Sequence, residues 1–173
     1  MLWFIILSSV FSFLVRVLPH LPNVAPIAAL ALFAGTYLPK RWGWAVPLLV
    51  MFTSDLFVGF YDVRLMAVVY ASFLIPFFIG WLLRKDKNSL SIFAGSLSGS
   101  VIFFLTTNFA VWALSNWYPH TLSGLLWSYT AGLPFFRNSL VGDLLYTGLF
   151  FGAYAVLPYL KKWFAFSYKV SAS

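Results

Sequence analysis

The sequence predicts an all-α integral membrane protein, a six-helix transmembrane bundle forming a single domain over residues 1–173 with both termini cytoplasmic. Three observations carry that expectation. Of 173 residues, 62% are hydrophobic, 21% are aromatic and only 9% are charged, and the mean hydropathy is +0.90. Soluble domains carry roughly 25% charged residues, so this chain lacks the charge to cover a water-facing surface. Apolar runs of helix-spanning size recur along it, separated by short joints, and the cations are divided unevenly between those joints.

A membrane-spanning helix needs about 20 mostly apolar residues. The runs that approach this are Met1–Leu18, Val24–Leu38, Trp44–Phe60, Leu65–Leu83, Leu90–Leu114 and Ser139–Leu160. The first reads as a span rather than a leader, because it lacks a basic start and places Arg16 where a small-residue cleavage site belongs. The second is short, at roughly 22 Å for a helix rising 1.5 Å per residue. The apolar stretch GLLWSYTAGLPFF is too short and too rich in Gly and Pro for a seventh span. It is therefore assigned to a long outer loop, Ser115–Asn138.

The joints set the orientation. One side collects Lys40, Arg41, Arg84, Lys85, Lys87, Lys161, Lys162 and Lys169, the other only Arg16, Arg64 and Arg137. Positive charge marks the cytoplasmic side, which gives a multi-pass protein of the plasma (inner) membrane. The net charge of +7 thus records topology, with membrane lipid as the surroundings. Outside the short joints there is no basic cluster for nucleic acid. With no cysteine, two histidines, four aspartates and no glutamate, no metal cage and no cofactor are expected. The nucleotide-binding, zinc-protease and nucleophile-elbow patterns are all missing.

The intramembrane polar residues fall at one depth. Asp55, Asn108 and Asp143 lie in the outer parts of the third, fifth and sixth spans, while Arg16 and Arg137 mark the outer ends of the first and sixth. A charge in mid-membrane costs roughly 2.5–3.5 kcal/mol on insertion scales, so such groups face the bundle interior or a wet cavity. Two readings stand at this point: the aspartates pair with the arginines as structural ions, or they line a pocket open to the outside. The proline-broken RVLPHLPNVAPIAALALFAG suggests a wall for such a pocket, bringing His20 and Asn23 towards it, since irregular backbone is tolerated at membrane depth only where it is buried or lines a cavity. Trp112, Trp117, Tyr118, Trp127 and Tyr129 gather near the outer boundary. Interface anchoring accounts for most of them, but Trp112 sits one turn from Asn108 and shares its face. Gly95-xxx-Gly99 and Gly148-xxx-Gly152 read as packing faces within the chain, and Ser8-xxx-Ser12 and Ala25-xxx-Ala29 as candidate docking faces.

The segments RVLPHLPNVAPIAALALFAG, SDLFVGF, FFLTTNFAVW, YPHTLSGLLWSY and GLPFFRNSLVGDLLYTGLFFG resemble an uncharacterised family of small bacterial membrane proteins described as transport proteins. That family is in turn similar to the substrate-binding S components of energy-coupling factor (ECF) vitamin transporters. The resemblance implies a six-helix S-component-like fold with cytoplasmic termini, an outward binding site and a capping loop between the first two helices. It also implies a transmembrane and ATPase module as partner. S components dock through an AxxxA-type face in the first helix, where this chain has only Ser8-xxx-Ser12.

The expected function is a non-enzymatic substrate-binding subunit for uptake of a small organic nutrient of the vitamin or precursor class, relying on a partner for energy. Asp55, Asn108, Asp143, Trp112, Arg137, Arg16, His20 and Asn23 are its candidate binding residues. The alternatives are an intramembrane enzyme using Asp55 and Asp143 as acid and base, and a structural membrane subunit without a ligand.

Overall fold

The protein was analysed as a computed structural model that describes residues 1–171, with side chains through Leu160. Lys161, Lys162 and Lys169, which contribute to the expected charge asymmetry, lie outside the described side chains. Helices run over Leu2–Val17 (α1), Ile27–Tyr37 (α2), Lys40–Gly43 (α3), Ala45–Val58 (α4), Val63–Leu82 (α5), Ser89–Leu114 (α6) and Leu122–Ser171 (α7), and there is no strand among the described residues.

Local chemistry sets most of these boundaries. α1 and α2 both end on a leucine in extended conformation, Leu18 and Leu38. Each precedes a proline, which disfavours the helical region for the residue before it. α4 stops at Gly59, whose φ of 105° is open to glycine and whose N–H donates to the Asp55 carbonyl at 2.9 Å. The Asp62 carboxylate accepts from the amides of Arg64 and Leu65 at the start of α5, and the Asn88 side chain accepts from Ser91 N–H at the start of α6.

Three stretches are long and apolar enough to cross a membrane: Val63–Lys85, Ser89–Leu114 and Leu122–Leu160. Large apolar side chains cover the outside, among them Trp3, Leu7, Leu82, Leu90 and Leu145, as suits a surface that meets hydrocarbon. α1 and α2 are apolar but shorter.

The last helix, α7, departs from expectation. The segment assigned to an outer loop, Ser115–Asn138, is helical from Leu122 onward and continues without a break into the expected sixth span. Pro134 sits inside this helix on its exposed side. α6 lies alongside the helix: Ser128 Oγ donates to the Asn108 carbonyl at 2.8 Å and Tyr129 to that of Leu105 at 3.1 Å.

α2 is the centre of the molecule. Every residue from Ile27 to Thr36 is buried, with α5, α7, α4, α6 and α1 around it. Its alanines leave room for that many neighbours. The closest approach is to α5, where a Cβ on Gly35 would strike the Phe77 carbonyl and one on Gly80 would strike that of Leu32. At the far end of α2, Arg84 Nε donates to the Gly35 carbonyl at 2.8 Å, and its Nη2 donates to Leu38. The orphan carbonyls of a helix end thus find their partner in a residue that follows α5.

The small-residue faces sort differently from their sequence reading. Gly95 and Gly99 meet Ile79, Leu83 and Pro76 of the α5 region. Gly148 and Gly152 have nothing within 4 Å of a built Cβ, so that pair packs no neighbour. Ser8, Ser12 and Ala29 are buried inside the chain and Ala25 is half-buried against a cavity, so neither spaced pair forms a free docking face.

Candidate functional site

The bundle has two chemically distinct ends. The segment between α2 and α4, which includes α3, and the α5–α6 connection carry Lys40, Arg41, Arg84, Lys85 and Lys87. The three remaining connections, α1–α2, α4–α5 and α6–α7, lie at the opposite end and supply Asn23, Tyr61, Trp117 and Tyr118 to two adjoining cavities.

The first cavity, of about 320 Å3, is lined by Arg16, Asn23, Met51, Tyr61, Phe73 and Asp143 among others. The second, of about 260 Å3, is lined by Ser100, Phe104, Asn108, Trp117, Tyr118 and Phe136 among others. They share Asn23, Phe103, Thr107 and Ser139, so one wall of four side chains separates a charged lobe from an aromatic one. The first volume falls at the lower edge of the range of small-ligand sites, about 300–1,000 Å3, and the second just below it.

Asp143 is 7% exposed and comes from α7. Its Oδ2 accepts from Ser100 Oγ of α6 at 2.6 Å, and no hydrogen bond reaches its Oδ1 among the described residues. Neither is there a cation paired with it among those residues. A buried carboxylate without a counter-ion is costly, and Oδ1 is the open acceptor of the charged lobe. Below it the polar contacts continue along the α6–α7 seam: Ser100 Oγ donates to the Ser96 carbonyl at 3.0 Å, and Ser96 and Thr147 hydroxyls meet at 3.1 Å.

Asp55 is 1% exposed and carries a different assignment. Its Oδ1 is paired with Arg16 Nη2, and its Oδ2 accepts from Tyr70 OH at 2.6 Å. Both oxygens are occupied and the carboxylate lines neither cavity. Arg16 is the member of the pair that faces the charged lobe; its Nη1 also reaches Met51 Sδ at 2.9 Å, and its buried Nε has no protein partner.

Asn108 lines the aromatic lobe. Its Nδ2 donates to the Phe104 carbonyl at 2.9 Å, while its Oδ1 has no hydrogen bond among the described residues. Gly132 of α7 makes this possible, because a Cβ there would collide with the Asn108 amide. Asn23 lines both lobes from a left-handed backbone position, φ 63°, which asparagine adopts more readily than most residues.

Of the eight sequence candidates, Arg16, Asn23, Asn108 and Asp143 line the cavities. The other four do not. Asp55 serves Arg16 from beneath. Trp112 donates to the Pro119 carbonyl at 3.1 Å and meets the His120 ring edge-on, tying down the α6–α7 connection. His20 is exposed and bonds back to the Leu18 carbonyl. Arg137 is exposed and pairs with no carboxylate among the described residues.

Over residues 1–166 the chain matches the model of a family of unknown function, DUF6580. It belongs to that family. No curated protein and no solved structure matches it.

In this DUF6580 chain, Ser100, Phe103, Thr107 and Ser139 are among the lining residues that sequence reasoning did not single out. The available signal was their helical spacing: Ser100, Phe103 and Thr107 recur at three- and four-residue steps with Asn108 close by, which sets them on one side of α6. The arrangement offers two open acceptors, Asp143 Oδ1 and Asn108 Oδ1, one guanidinium and a ring-lined recess. These groups can accept hydrogen bonds, donate them from the guanidinium and pack rings against an apolar surface.

Proposed function

We propose that this chain is a membrane-embedded solute-binding subunit for uptake of a small organic nutrient, with the bundle crossing the membrane six times and the basic end in the cytoplasm. The two-lobed cavity then faces outward. A solute with hydrogen-bond donors would bind Asp143 Oδ1 and Asn108 Oδ1, Arg16 would meet an acceptor or anionic group, and Phe104 and Phe136 would sandwich or edge a planar portion. The resemblance to ECF S components supports a vitamin or precursor as solute and a transmembrane and ATPase module as the source of energy. The observation that carries the reading is the unpaired, nearly buried Asp143 in a cavity of ligand size.

Native mass spectrometry of the protein, purified from its own host in mild detergent, tests it. The expected result is a small-molecule adduct that disappears in Asp143→Asn while the variant melts at an unchanged temperature. A wild-type protein that holds no adduct under gentle conditions, or an Asp143→Asn variant that keeps the adduct, overturns the reading.

A structural subunit without a ligand is the second reading, favoured by the Arg16–Asp55–Tyr70 cluster, in which both Asp55 oxygens are taken. The use of two aspartates as acid and base draws no support from that cluster, since Asp55 has no free oxygen to exchange a proton with a substrate.

A further inference from the structure

At the basic end a third cavity of about 400 Å3 lies between the first turns of α6 and the second half of α7. Its floor is Tyr37, Thr147 and Phe151, and its open side runs along Phe93, Gly148 and Gly152. The two glycines give it its depth, because nothing stands within 4 Å of where their Cβ atoms would be. Helix pairs with small residues ordinarily close on a neighbour. This pair is left open instead, on the face of a helix long and apolar enough to span a membrane.

One end of the groove is cationic. Lys87 and Ser89 line it, with the Lys87 ammonium 5.0 Å from the centre of the Tyr37 ring. Lys85 is exposed close by in the chain, and Arg84 is committed to the end of α2. Ser89 opens a 26-residue helix whose N-terminus favours negative charge. Of the first amides, Ser91 N–H is taken by Asn88 Oδ1 and Ile92 N–H by the Asn88 carbonyl, while those of Ser89 and Leu90 have no hydrogen bond among the described residues. The one acidic neighbour, Asp86, is turned to Asn88 and Ser91 and does not line the groove.

We infer that this groove holds an anionic phospholipid, with its phosphate at Lys87, Ser89 and the first amides of α6 and an acyl chain along Gly148 and Gly152. Charge complementarity selects the occupant. A packed helix from another protein would fill the apolar trough and leave the cationic end unmatched, whereas a free anion would leave the trough empty. Basic pockets between membrane helices suit acidic head groups in this way. The inference needs membrane residence but does not rest on solute binding at the opposite end.

The test is native mass spectrometry of the full chain titrated with phosphatidylglycerol or phosphatidylcholine of identical acyl chains. The expected result is a one-to-one phosphatidylglycerol adduct favoured over phosphatidylcholine, weakened about fivefold by Lys87→Gln. Gly148→Leu, which fills the trough, should abolish the adduct without lowering the melting temperature. Equal adducts of the two lipids, or phosphatidylglycerol binding untouched by both variants, overturns the inference. So does a stoichiometric second protein released by Gly148→Leu, which would identify the groove as a helix-docking face.

Discussion

Asp55 and Asp143 look alike in sequence, each an aspartate within an apolar helix, and the structure separates them completely. Asp55 has both oxygens filled by Arg16 and Tyr70. Removing its charge strands the guanidinium, so Asp55→Asn should cost on the order of 3–5 kcal/mol, the usual range for breaking a buried pair, read as a lowered melting temperature in detergent. Asp143→Asn keeps a partner for Ser100 and should leave melting nearly unchanged. The pairing of residues 16 and 55 could not be read from spacing, because it depends on which helices are neighbours. Of the residues grouped by depth, Arg16, Asn108 and Asp143 line the cavities while Asp55 and Arg137 do not, because depth cannot tell a lining residue from one lying behind or outside it; Asn23 entered through the proline-broken segment instead. Asp62 adds a pH dependence at the same end. The Arg64 side-chain hydrogen bond, and after it the Leu65 amide, hold its carboxyl below the usual carboxylate range. A carboxyl lowered by folding stabilises at every pH above its unfolded value and loses that contribution as pH falls through the folded one. The Leu65 amide should therefore stay protected at pH 5 and open only below the usual carboxylate range. Hydrogen exchange, corrected for intrinsic rate, checks this, with the transition absent in Asp62→Asn.

Among the elements, the helical bounds of α1, α4, α5 and α6 fall within two residues of four expected runs at every boundary, because each is an apolar run closed by proline, glycine or a capping side chain. α7 was legible only in its second half. Gly124, Gly132 and Pro134 are strong loop signals in water, yet Gly132 is the seat of the Asn108 side chain and Pro134 is borne on an exposed face. Glycine likewise misled in the other direction: the spaced pair at Gly148 and Gly152 contacts nothing, while Gly35 and Gly80, which belong to no local motif, form the tightest crossing. Gly35→Ala should cost about 1–3 kcal/mol by overpacking against backbone. Gly148→Ala should stay within about 0.5 kcal/mol of wild type. Thermal melting of the pair in one detergent decides the matter.

In the whole molecule, the shortest apolar helix is the most buried, and the longest is more than three times its length. α7 runs about 58 Å from Leu122 to Leu160 at 1.5 Å per residue, well beyond the roughly 30 Å hydrocarbon core of a bilayer. α2, with 11 residues, extends only about 16 Å. Its burial was foreshadowed by its alanines and its shortness; its place at the centre was not, since that depends on the order of helices around it.

That central position has a consequence for biosynthesis. α2 leaves the ribosome before the partner that encloses it, and before Arg84, whose side chain receives the carbonyls at its end. Alone it is too short to bridge the hydrocarbon, and its terminal backbone groups would have no partner there. Its residence in the membrane is therefore conditional on a segment translated later. A nascent chain arrested before Val63 should leave α2 open to protease, and one extended past Lys85 should protect it. Arg84→Met should delay that protection even in the complete chain.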